Sequence, residues 1–152
     1  MKRILIIVFM GIVLFSTVFS QERGFYYNLL IDYHTVHVFL KNNDSLNEGL
    51  LEFGYTRGGN SGNTWGRYSF DKISFYSLCS LVDDKISTSI TIKTLNENER
   101  KELFNKIVAE FTQILGVSSG SNSDRVMWLR TEHGRISINF TNLDIRITVT
   151  EM

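Results

Sequence analysis

The chain has 152 residues, no proline, one cysteine, and 16 basic residues against 16 acidic ones. One cysteine excludes an internal disulfide and the paired thiolates of a structural zinc site. The balanced charge gives no electrostatic reason to bind nucleic acid or an anionic membrane.

The chain opens on a short basic start, Lys2 and Arg3, followed by an almost wholly apolar run from Ile4 to Phe19. Val18-Phe19-Ser20 then places a β-branched and a small residue three and one positions before Gln21. This is the pattern of a secretory signal peptide over residues 1–20, cleaved near Ser20/Gln21. A membrane span needs about 20 apolar residues. Contact with a membrane is therefore expected only during export or through an uncleaved signal anchor. The mature chain, residues 21–152, is expected as a single periplasmic or secreted domain. Without Lys2 and Arg3 it carries 14 basic residues against 16 acidic ones, a net charge of −2.

Residues 25–41, FYYNLLIDYHTVHVFLK, are rich in aromatic and β-branched residues, which argues strand. Periodicity argues helix. Phe25, Tyr26, Leu29, Leu30, Tyr33, Val36, His37 and Leu40 fall within one arc of about 140° at helical spacing, and helix is the reading adopted. Leu50 to Tyr55 and Tyr68 to Leu81 read as strands, with the glycine-rich stretch GYTRGGNSGNTWGRY, residues 54–68, between them. Ile86, Thr88, Ile90 and Ile92 then alternate with Ser87, Ser89, Thr91 and Lys93 after an Asp83-Asp84 turn, as a half-buried strand does.

The clearest element is a helix over 97–115. Leu103, Phe104, Ile107, Val108, Phe111, Ile114 and Leu115 recur at spacings of three and four. Asn96 can cap it with Glu99 three residues on, in the manner of a capping box, and Gly116 can end it. After it, Val126–Thr131, Ile136–Thr141 and Leu143–Thr150 form a three-stranded meander with one polar side. The expected fold is α+β: an antiparallel sheet of about six strands with one or two helices on one face, in the order α-βββ-α-βββ. In layout alone this order resembles exported inhibitor and envelope-assembly modules, a likeness that carries little about function.

Three groups of residues invite a chemical reading. In residues 54–68, Tyr55, Trp65 and Tyr68 can stack on a sugar or peptide while Arg57 and Arg67 grip a carboxylate or phosphate. No helix or Gly-Lys-Ser/Thr follows, so a phosphate loop is excluded. The simpler alternative is a hairpin loop whose tryptophan tucks against the sheet edge. His34 and His37 are three apart and would share a helix face, but no third metal ligand is evident; His37 lies at the margin of the apolar arc and His34 well outside it, and two surface-margin histidines is the better account. Cys79 lies in an apolar stretch, as a buried inert thiol would. Neither Gly-x-Ser-x-Gly nor His-Glu-x-x-His occurs, and no catalytic residue, metal or cofactor is expected. The function expected is that of an exported, non-catalytic envelope or secreted protein binding a protein or glycan partner. The alternatives are a small hydrolase of envelope polymers and a purely structural subunit of an envelope assembly.

Overall fold

A computed structural model describes residues 24–58, 63–70, 73–94 and 96–152. The signal peptide expected over 1–20 and the middle of the glycine-rich stretch lie outside these residues. The fold is α+β, as expected, but among the described residues its antiparallel sheet has eight strands rather than about six, and there are three helices rather than one or two.

Helix α1 (Phe25–Asn42) forms where periodicity places it. Tyr26, Tyr27, Leu30, His34, His37 and Leu40 are buried at helical spacing along one side. Asp44, in the left-handed region at φ 52°, turns the chain into α2 (Leu46–Glu52). This segment overlaps residues 50–55, read from sequence as a strand. Leu46 and Leu50 are one helical turn apart and both buried, and Gly49 between them lies against Leu40. A Cβ at Gly49 would stand 2.4 Å from a Leu40 methyl. Tertiary contact with α1 thus selects helix for an apolar run too short to declare itself.

Strand β1 (Thr56–Gly58) pairs with β2 (Thr64–Phe70), so the glycine-rich stretch is largely a hairpin. The single strand read over 68–81 is corrected to two, the end of β2 and β3 (Ser74–Val82), with β4 (Lys85–Lys93) following through the Asp83-Asp84 turn. Both turn aspartates have positive φ, 50° and 59°, as a tight two-residue hairpin demands.

Helix α3 (Glu97–Leu115) has the expected ends. The Asn96 side chain accepts from the Glu99 backbone N–H at 2.9 Å, and Gly116 closes it at φ 79°. A short strand β5 (Gly120–Asn122), not foreseen, precedes the meander of β6 (Arg125–Thr131), β7 (Gly134–Phe140) and β8 (Asp144–Thr150).

The strand order is β1-β2-β3-β4-β8-β7-β6-β5, every neighbour antiparallel. Two four-stranded meanders, each preceded by helix, therefore meet where β4 pairs with β8, Ile90 opposite Ile147. Helices α1 and α3 lie on one face. Ile90, Ile107, Phe111, Ile136, Ile138, Ile145 and Ile147 are all fully buried between helices and sheet. A second core cluster, Leu40, Leu46, Leu50, Tyr55, Trp65, Cys79 and Ile86, fills the space under α2. The other face of the sheet has no helix over it among the described residues. There Ser87 bonds Thr150 at 3.0 Å and Ser89 bonds Thr148 at 2.9 Å across the β4–β8 seam.

Candidate functional site

The five residues proposed from the glycine-rich stretch occupy different places in the fold. Trp65 sits opposite Cys79 on the helix-bearing face and is only 3% exposed. Its indole N–H donates to Asn47 Oδ1 at 3.2 Å, and the Arg57 guanidinium stands 5.9 Å from its ring centroid. Tyr55 is also buried, with its hydroxyl bonded to His37 and Ser77. Arg67 pairs with Ser77 in register and shares that side of the sheet. Tyr68, one residue on, points to the opposite side and is 62% exposed. Cys79 is fully buried, and burial pushes its thiol up to about 12, which keeps it protonated.

His34 and His37 are not at a surface margin. They are 4% and 1% exposed, pressed by α1 against the centre of the sheet. Both Nδ1 atoms reach the Thr88 hydroxyl, at 3.1 Å from His34 and 2.8 Å from His37. His37 Nε2 lies 3.1 Å from the Tyr55 hydroxyl, which accepts from Ser77 at 2.9 Å. Burial lowers the pKa of His34, and a hydrogen bond to the backbone of His133 opposes that in part, as an accepting carbonyl does. With His34 donating from Nε2 to that carbonyl, one order of protons satisfies the whole chain. Ser77 donates to Tyr55, Tyr55 to His37 Nε2, His37 Nδ1 to Thr88, and Thr88 to His34 Nδ1. Both imidazoles are then neutral, each with one nitrogen donating and one accepting. The network ties α1 to β3, β4, the link between α2 and β1 and the β6–β7 turn, and every side chain in it is buried.

Burial holds His37 down to about 3, with the neighbouring His34 charge adding to the effect, and burial likewise lowers His34. The unfolded chain takes up a proton below about pH 6.5 that folded His37 refuses. Stability from this group is thus complete above that pH and is lost as pH falls toward 3. Asp32 runs the other way. Burial raises its carboxyl to about 6, so the folded chain gains stability as pH falls through that value. Comparing the wild type with His37→Gln isolates the histidine. The wild type's advantage in urea-unfolding free energy should shrink by about 2 kcal/mol between about pH 7 and about pH 5. A constant difference would show that His37 is not held neutral.

The uncovered face presents a different chemistry. Across it, Tyr68 is opposite Tyr76, Tyr76 opposite Thr91, Thr91 opposite Arg146, Arg146 opposite Asn139, and Asn139 opposite Arg125. The next row holds Gly66, Leu78, Ser89, Thr148, Ser137 and Met127. Tyr76 lies across Gly66, where a Cβ would fall 1.7 Å from its hydroxyl, and its ring centroid is 4.8 Å from that of Tyr68. The glycine is what lets an aromatic ring lie along the sheet. Of these, the sequence offers Tyr68 as a binding-loop residue, and its serine- and threonine-rich strand positions, Ser89, Thr91, Ser137, Asn139 and Thr148 among them, read as a solvated side that could also serve as a flat docking surface. The signal for the others was available: Tyr76, Leu78 and Met127 are large apolar residues at the polar parity of their strands.

Charge divides between the elements. The eight strands hold eight basic residues and one carboxylate, Asp144, while the three helices hold seven carboxylates and four bases. By register, Lys85, Lys93, Arg125, Arg135 and Arg146 point to the uncovered face, where Asp144 faces Lys93. Arg125, Arg135 and Arg146 are exposed, and among the described residues none has a carboxylate in ion-pair contact. No three His, Cys, Asp or Glu among the described residues gather as a metal site would require. Compared with protein-family models, with curated proteins and with solved structures, the chain matches none.

Proposed function

We propose that this is an exported, non-catalytic binding module of the envelope or the secreted fraction, which receives a protein partner on the uncovered face of its sheet. Export rests on the basic start, apolar run and small-residue site of residues 1–20. Among the described residues no helix is long and apolar enough to cross a membrane. The observation that carries the binding reading is the makeup of the uncovered face, where Tyr68, Tyr76 and Met127 lie among arginines, serines and threonines. Tyr, Met and Arg are the residue types enriched where proteins meet, and Tyr with Ser and Asn dominates antibody binding surfaces.

The size fits as well. Strands of seven residues are about 23 Å long, and the six longer strands span roughly 28 Å. The resulting area, about 650 Å², approaches the roughly 800 Å² that one partner contributes to a stable interface. A face this broad suits a protein surface better than a single sugar chain.

A photo-crosslinking residue at Tyr76 or Met127 on the sheet face, with Ala109 on the exposed side of α3 as control, tests the reading in the producing cell. Protein adducts should form from the two sheet positions and not from Ala109. Adducts from Ala109 alone, or equally from all three, would remove the sheet face as the binding surface. Edman sequencing of the exported chain should begin at Gln21.

A further inference from the structure

We infer that the partner surface received by the uncovered face is an acidic patch on a protein, held by Arg125, Arg135 and Arg146. The inference rests on the sheet-face reading and adds the chemistry of what binds there. In the row Arg125, Asn139, Arg146 the two guanidinium-bearing residues stand two strands apart, about 10 Å. Arg135 pairs with Thr150, four residues along β7 from Asn139, roughly 13 Å away. The three arginines thus bound a triangle whose floor is Ser137, Thr148, Asn139 and Met127. The floor is neutral. Its hydroxyls are already satisfied in part, Thr148 by Ser89 on the next strand and Ser137 by the Asn139 amide.

Arginine rather than lysine at all three corners favours carboxylates gripped by paired N–H donors over a diffuse polyanion. Lys85 and Lys93 lie outside the triangle, and Lys93 already faces Asp144. The same face carries Tyr68, Tyr76, Leu78 and Met127, and covering them needs a partner with surface of its own to bury, which a protein supplies and a phosphate chain does not. The rest of the molecule adds to the steering, because the helices on the other side carry a net charge of −3. An acidic partner is drawn to one side of the protein and repelled from the other.

Panning a displayed library of random dodecapeptides on the purified protein gives a probe of known sequence. The retained peptides should be enriched in Asp and Glu over the input, and a synthetic peptide from the pool should bind more weakly as salt is raised. The R125E/R135E/R146E variant should lose at least about tenfold in affinity for it. The corresponding Arg→Gln set should lose less, while Lys101→Glu with Lys106→Glu, exposed on α3, should change little. Circular dichroism and a urea midpoint establish that each variant folds. Peptides without acidic bias that still lose binding in Tyr76→Ala would overturn the acidic partner and leave the sheet face standing. Peptides indifferent to both Tyr76→Ala and the arginine set would overturn both. Duplex DNA or phosphatidylglycerol vesicles binding as tightly as the peptide at physiological salt would also overturn the inference, since the face would then read charge alone.

Discussion

Replacing Phe111 by Ala should lower stability by about 3 to 5 kcal/mol, the range for emptying a well-packed aromatic site. Phe111 is fully buried on α3, with the Tyr27 ring at 5.4 Å and the Trp128 ring at 5.9 Å. It is where both long helices and strand β6 meet, so its loss leaves a cavity that none of the three can close alone. For a chain of this size each kcal/mol moves the melting temperature by about 3 °C, so a fall of about 10 to 15 °C is expected. Ile114, three residues on, is 44% exposed despite belonging to the same apolar stripe in the sequence. Ile114→Ala should stay within about 0.5 kcal/mol of the wild type. Urea midpoints of the two variants decide the matter. Equal effects would mean that α3 is rotated from the position described.

The second large effect is expected at Trp65. Trp65→Ala should also cost about 3 to 5 kcal/mol, because the indole is 3% exposed and packed in the cluster with Leu40, Leu46, Leu50, Tyr55, Cys79 and Ile86. Its removal also breaks the bond to Asn47 Oδ1 and leaves Arg57 without a ring beneath it. Of the two sequence readings, the tryptophan tucked against the sheet agrees with this burial; were Trp65 a stacking platform for a ligand, its removal would instead leave the melting temperature nearly unchanged while abolishing affinity. The two accounts predict opposite outcomes in one variant. Trp128 remains as the fluorescent probe of unfolding, buried with its N–H donating to the Gly116 carbonyl at 3.0 Å. A melting temperature within about 2 °C of the wild type would return Trp65 to the binding surface.

Much of the frame was legible because its signals are local. Helix α3 ends where Asn96 and Gly116 end it, since a cap acts within one turn. Strands β4, β7 and β8 bury the isoleucines their alternation marks, Ile90, Ile138 and Ile147 among them. What misled was short or two-sided. Leu50 to Tyr55 read as strand because its few apolar positions fit either period, and only Leu40 above Gly49 makes it helix. The glycines of 54–68 signalled a turn and concealed the seven-residue strand that begins at Thr64.

The histidines show the same limit. Periodicity puts His37 at the edge of the apolar arc and His34 outside it, but the side that α1 buries is turned toward them, taking in both histidines and Tyr27 and leaving Phe25, Leu29, Tyr33 and Val36 half-buried. The partners of the histidines decided this: Tyr55 is 18 residues away from His37 in the chain and Thr88 is 54 from His34. A buried imidazole is tolerable only where such acceptors and donors meet it, and no local pattern announces that. The zero net charge hid as much, because it sums strands at +7, helices at −3 and the rest of the chain at −4.

By itself the sequence determined the α+β class, the span of α3 and which side of most strands is apolar. These follow from contacts within a turn of helix or along one strand. The tertiary structure alone decided that β4 would pair with β8, that two histidines would be sealed beneath α1, and that five basic residues would gather on one open face. Those outcomes depend on register between distant segments, where a shift of one residue would turn every side chain to the other face.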